Sequence, residues 1–259
     1  MYIINTISTI GVTSFFIMSG FLLFRKPVGK ERIKKQIFRI LKLYGCWTIV
    51  YLPLDIYKYL KDGLNFPQAI VDFVQKAIFN GTYYHMWYLP SLIVAICVVY
   101  IMKNRRYILI TVTAGLMIIG IFTDTYGISF PKVYYTIFLT TRNGLFMGSF
   151  LVAIGKCLAD YESKLRNLKK WKLILPVAIV ALYVEGGLIS KFDSERIINI
   201  AFTSVIVSII LVTIMIGLPQ IKASKNVRNM STVIYLCHPC IMVIINLSDH
   251  LGIFLNAGV

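Results

Sequence analysis

The sequence predicts an all-α, polytopic transmembrane helical bundle of about eight spans, and three observations predict it. Of 259 residues, 58% are hydrophobic and 15% charged, and the mean hydropathy is +0.74. A soluble chain carries roughly a quarter charged residues and could not solvate this much apolar surface. The apolar runs are also long and uniform, whereas barrel strands alternate over about ten residues. Finally, the basic residues gather in alternate loops between the runs, as they do in helices threaded through a bilayer.

The spans are expected at 3–24, 40–57, 86–102, 107–123, 143–158, 173–189, 197–219 and 231–251. In the first, Ser14, Ser19 and Gly20 are small enough to permit close helix approach. After it, Ile33, Ile37 and Ile40 recur at helical spacing among Lys and Arg, which predicts an amphipathic surface helix leading into the second span. The longest external segment runs from Asp55 to His85. Within it, residues 66–79 place Ile70, Phe73, Val74 and Ala77 on one face, and a short helix is expected there on the outer interface or capping a cavity. An aromatic cluster including Trp87 and Tyr88 stands at the mouth of the third span. The third and fourth spans form a hairpin turned at 103–106. In the fifth, Gly144, Gly148 and Gly155 predict close packing. The sixth carries Glu185 near its outer end, and in the last Pro239 removes a helix hydrogen bond and predicts a kink.

The net charge of +16 is a topology signal rather than a nucleic-acid footprint. With these spans, 20 of the 27 Lys and Arg fall on one side, from Arg25 to Arg228, and 7 on the other. The basic side is expected to be cytoplasmic and the chain to reside in the plasma membrane, its partner the bilayer. Five cysteines lie in or beside spans, so no disulfide framework is implied. The first span begins almost at Met1 with its basic flank behind it, so its N-terminus is expected to face outside. A chain rarely starts by translocating a bare terminus, and an upstream helix is expected. The chain reads as one integral membrane domain over 1–259, truncated at its N-terminus.

Several residues carry two readings each. Ser19-Gly20-Phe21 is a helix-packing notch, or a place where a slender ligand reaches the bundle core. His85, Trp87 and Tyr88 form an interfacial aromatic belt, or a sugar-binding face. Arg39 and Lys42 snorkel to headgroups, or bind a phosphorylated donor. Arg142 and Glu185 are ionisable at external membrane depth, which makes them functional candidates, and they could pair with each other. Cys237 and Cys240 lack the further ligands that a metal site needs, so no metal is expected.

Taken in order, five pieces resemble the acyltransferase 3 family. They are Phe15-Phe16-x-x-Ser19-Gly20-Phe21-Leu22, Phe38-Arg39-Ile40-x-x-x-Tyr44, Trp87-Tyr88-Leu89, Gly144-Leu145-Phe146-Met147-Gly148 and Ser231-x-x-Ile234-Tyr235-Leu236-x-His238-Pro239. The resemblance implies a membrane acyltransferase of nine to ten spans in full. It would pass an acyl group, usually acetyl, from cytoplasmic acyl-CoA to a hydroxyl of a cell-surface carbohydrate or cell-wall glycan. It implies no tightly bound cofactor, with acetyl-CoA as donor substrate. The family's catalytic His falls upstream of Met1. Gln36 replaces the first Arg of the family's cytoplasmic Arg-x-x-Arg, leaving Arg39. On this basis Ser19, Gly20, Lys35 and Arg39 are expected on the donor side. His85, Trp87, Tyr88, Arg142 and Glu185 are expected on the acceptor side, with His238 as a core polar contact. The alternatives are a transport or uptake domain, with Glu185, Arg142 and His238 facing one water-filled path, or an inactive remnant.

Overall fold

A computed structural model describes residues 2–83, 85–128, 131, 140–166, 171–192, 200–218, 233–237 and 239–241, with the side chains of 2–8, 172, 190 and 192 excepted. The chain divides into two compact units, Met1–Leu218 and Pro219–Val259. In the second, residues 233–237 and 239–241 are helical. His238 lies outside the described residues, as do Lys132, Tyr134 and Tyr135 of the second external loop.

Among the described residues all regular structure is helical. In the first unit the order is α1 (Tyr2–Phe24), α2 (Lys30–Lys61), α3 (Phe66–Phe79), α4 (Tyr88–Ile101), α5 (Arg106–Asp124), a π-helical turn (Gly144–Gly148), α6 (Ser149–Asp160), α7 (Glu162–Leu165), α8 (Trp171–Phe192) and α9 (Phe202–Gly217). Two of these, α2 and α5, are long and apolar enough to cross a membrane. Shorter apolar helices occupy Thr9–Phe24, Tyr88–Ile101, Leu173–Ile189 and Phe202–Gly217.

The expected surface helix and second span are one helix, α2. After Pro27 the next proline is Pro53, and Glu31 in the first turn complements the helix dipole. Its buried side chains are Ile33, Ile40, Tyr51 and Asp55, a single stripe, and the rest of its residues are half-buried or exposed. α3 forms where its amphipathic period places it. Asn65 and Gln68 make a capping box and Pro67 sits in the first turn, the position where a missing N–H costs nothing. None of its residues is buried.

α1 and α6 make the closest packing. A Cβ on Gly20 would come 2.4 Å from the Val152 carbonyl oxygen, and one on Gly155 would come 2.1 Å from that of Ile17. The two backbones therefore touch, which small residues make possible. The notch at Gly20 is filled by α6, so the packing reading describes that face. α9 closes on α1 through the Thr13 and Ser208 hydroxyls, which hydrogen-bond across the helices. Ala178 and Leu182 of α8 meet Val207 and Ile210 of α9 in an apolar cluster.

The π-turn follows from tertiary contact. Asn143 caps it, its Oδ1 accepting from Leu145 N and Phe146 N at 3.0 and 3.2 Å. A Cβ on Gly144 would lie 2.2 Å from the Ser91 carbonyl oxygen of α4. The extra residue in the turn lets the chain pass that close to α4 before α6 begins.

Candidate functional site

Between the ends of α2, α3 and α5 lies a cavity of about 450 Å³, lined by Asp55, Lys58, Tyr59, Lys76, Asn80, Gly81, Thr82, Tyr83, Trp87, Asp124, Thr140 and Arg142. It is built from two loops. The first, after α3, turns at Gly81, whose φ of +80° favours glycine. A Cβ there would sit 2.6 Å from Met86 C and Trp87 N, so the loop folds tightly back on itself and brings Trp87 to the wall. It is tied to α2 by Tyr44, whose hydroxyl donates to Ala77 O at 2.8 Å and accepts from Thr82 N at 3.2 Å.

The second loop leads into the π-turn. Arg142 N donates to Thr140 Oγ1 at 3.0 Å, and that hydroxyl donates to Asp124 Oδ1 at 3.4 Å. Capping by Asn143 fixes the next residue, so the Arg142 backbone has little freedom. Its guanidinium carbon stands 5.0 Å over the Trp87 ring, a cation–π contact. Behind Trp87 stands Phe16 of α1, with ring centroids 5.9 Å apart. Trp87 is only 7% exposed, so it is a cavity wall rather than part of a lipid-facing belt.

Asp55 of α2, which also lines the cavity, is 7% exposed, and among the described residues its buried Oδ2 has no hydrogen-bond partner. An ionisable group buried this way beside a cavity is a functional candidate. Asp72 accepts from Tyr59 Oη at 2.8 Å and from Lys76 Nζ at 2.5 Å. The cavity thus gathers carboxylates (Asp55, Asp124), cations (Lys58, Lys76, Arg142) and aromatic rings (Tyr59, Tyr83, Trp87) in one lining. That set can hold a polyhydroxylated or zwitterionic ligand.

The sequence-predicted residues divide clearly. Trp87 and Arg142 line the cavity. His85 does not; it is buried behind the wall, its ring 5.1 Å from that of Tyr51 and 5.7 Å from that of Tyr83. Tyr88 and Ser19, expected on the acceptor and donor sides respectively, meet in a 3.0 Å hydrogen bond, and the Tyr88 ring lies 4.6 Å from Phe16. Lys35 and Arg39 share an exposed face of α2, and Arg39 lies sixteen residues from Asp55, about 24 Å at the α-helical rise.

Glu185 does not pair with Arg142. Its carboxylate caps α9, accepting from Phe202 N at 3.0 Å, Thr203 N at 2.8 Å and the Thr203 hydroxyl, and also from Tyr126 Oη at 2.5 Å. Desolvation and this hydrogen bond to a carboxylate raise the Tyr126 hydroxyl above its ordinary range. Glu185→Ala is expected to destabilise the protein by about 1–3 kcal/mol, since hydrogen bonds to charged groups are worth that much. Thermal unfolding in detergent checks this; an unchanged Tm would refute the capping role.

Sequence reasoning passed over Asp55, Lys58, Lys76, Thr82, Asp124 and Thr140 as site residues. The available signal was Asp55 itself, a carboxylate at the end of an apolar run.

A family model for the acyltransferase domain, acyltransferase 3, matches residues 1–255. The chain is 30% identical over 174 residues to an amino-acid racemase of Enterococcus faecalis, covering 62% of this chain and 24% of the relative. A second amino-acid racemase of that organism is 25% identical over 97% of this chain and 38% of its own length. A serine/alanine racemase of Enterococcus gallinarum is 24% identical over 90% of this chain and 35% of its own length. The chain therefore spans only a quarter to two-fifths of the relatives it matches. No solved structure matches it. With the match to the acyltransferase domain running over nearly its whole length, the chain belongs to the acyltransferase 3 family.

Proposed function

We propose that the chain is a multi-pass O-acyltransferase of the plasma membrane. It moves an acyl group, acetyl in the simplest case, from cytoplasmic acyl-CoA to a hydroxyl of a cell-surface carbohydrate or cell-wall glycan. The observation that carries this reading is the cavity walled by Trp87, Arg142 and Asp55, about 24 Å along α2 from the basic Lys35–Arg39 face. That separation is close to the roughly 30 Å of a bilayer's hydrocarbon core. The apolar exteriors of α2 and α5 and the gathering of Lys and Arg at one set of loops support the same placement.

In the reaction the thioester C–S bond breaks and a C–O bond to the acceptor forms, the hydroxyl proton ending on the departing thiol. No resident cofactor enters this chemistry; the acyl-CoA is a substrate. Arg39 and Lys35 provide cations for the donor's phosphates. Arg142, with its charge over Trp87, and Asp55, with its open acceptor oxygen, orient the acceptor hydroxyl. In the test, the protein is expressed from the longest reading frame containing this chain and reconstituted with labelled acetyl-CoA and cell-wall acceptor. Label is expected in alkali-labile ester on the glycan. Absence of both transfer and acetyl-CoA binding would overturn the proposal.

One observation favours a second reading, uptake of a small zwitterion: carboxylates and cations line the same cavity, and the relatives carry names of enzymes acting on amino acids. Its original form, with Glu185 in the solute path, does not fit the capping of α9. Flux of labelled amino acids into proteoliposomes separates the two readings.

A further inference from the structure

Directly beside the polar cavity, α2 and α3 form a second hollow of about 470 Å³, and its character is the reverse. It is lined by apolar side chains, among them Leu52, Ile56, Leu60, Phe66, Ile70 and Phe73. The two hollows share one residue, Tyr59. Tyr59 therefore stands on the boundary: its hydroxyl donates to Asp72 at 2.8 Å, and Lys76 of the polar cavity, which Asp72 also binds, lies 5.6 Å over its ring. Along α2 the division repeats. Asp55 and Lys58 line the cavity, while Leu52, Ile56 and Leu60 line the groove. A wall that changes from charged to apolar across a single tyrosine fits one amphiphile: a polar head on one side and a hydrocarbon chain on the other.

We infer that the acceptor is a lipid-linked glycan whose sugar occupies the Asp55–Trp87–Arg142 cavity while its hydrocarbon chain lies in the α2–α3 groove. This rests on the acyltransferase reading for the identity of the head. The chain could belong to a polyprenyl carrier or to a diacylglycerol anchor, which share the same hydrocarbon chemistry. A chain passing from bilayer to groove gains little hydrophobic free energy, because lipid tails are as apolar as the groove. The groove therefore selects and positions rather than drives binding, and its effect belongs in KM.

The test uses the protein in nanodiscs with synthetic acceptors carrying a diazirine on a polyprenyl chain or on a diacylglycerol chain. Labelling is expected within residues 52–73, competed by the unlabelled glycolipid at least tenfold better than by plain phospholipid; whichever chain competes names the source. Ala69→Trp, which narrows the groove, is expected to reduce labelling. It should raise KM for the lipid-linked acceptor at least tenfold, and that for the same glycan on a short soluble aglycone less than twofold. Ile56→Trp on the facing helix should act alike, guarding against misfolding of either variant. Equal competition by phospholipid would mean a seat for bulk bilayer lipid and overturn the inference, as would equal KM changes for both acceptors. Labelling needs no acyl transfer, so competed labelling without transfer would support the groove assignment and overturn the transferase reading alone.

Discussion

Arg142→Ala is expected to lower kcat/KM for acyl transfer by roughly 30- to 1,000-fold, equivalent to about 2–4 kcal/mol of lost transition-state binding. The guanidinium stands over the Trp87 ring at 5.0 Å and lines the cavity. Removing it takes away the cation over the Trp87 ring and leaves Lys58 and Lys76 as the cavity's remaining positive charges. Arg142→Lys keeps the charge but loses the planar stack, and should recover only part of the activity. Side-chain truncation leaves the Arg142 N–H to Thr140 intact, so Tm should stay within a few degrees. Initial rates at varied acceptor concentration decide the matter; an unchanged kcat/KM would remove Arg142 from the site.

The second large effect concerns folding. Gly155→Ala is expected to destabilise the protein by about 3 kcal/mol, at or beyond the usual cost of overpacking. The new methyl would lie 2.1 Å from Ile17 O and 2.7 Å from Phe21 N, both backbone atoms that no rotamer change can clear. Gly20→Ala meets the Val152 backbone in the same interface. Once one methyl has pushed α1 from α6, the other fits more easily, so the double variant should cost clearly less than the sum of the singles. Thermal unfolding in detergent measures all three. Strict additivity would mean the two glycines do not share one interface.

Much of the fold was legible in the sequence, because single helices are written in local patterns. The amphipathic period of residues 66–79, with Asn65 and Pro67 at its start, defines α3 to the residue. The apolar runs anticipate α1, α4, α5, α8 and α9 to within a few positions. α2 differs because the basic surface helix and the following span are both helical, and nothing between them interrupts the hydrogen bonding. The π-turn at Gly144–Gly148 was not legible; its wording reads as ordinary helix, and its geometry is imposed by the Ser91 carbonyl of another helix.

The site was half legible. Trp87 and Arg142 carried their own signal, as an aromatic cluster and an ionisable residue at membrane depth. Asp55, Asp124 and Thr140 come from three separate segments, and no periodicity relates residues that far apart. Glu185 and His85 show the converse limit. Both are conspicuous in sequence, yet one is consumed capping α9 and the other is packed among tyrosines behind the wall. Side-chain chemistry marks candidates, but only tertiary contact shows which atoms remain open to a ligand.

The unbroken course of α2 also acts as a ruler. In the proposed reaction the inner docking face and the outer cavity are graduations on one stiff rod, held along the stripe of Ile33, Ile40, Tyr51 and Asp55. The interval between them is set by the rise of about 1.5 Å per residue of a hydrogen-bonded helix and keeps its length as long as those turns hold. The donor's reach must match that interval, and the gauge for it is cut into the protein's own backbone.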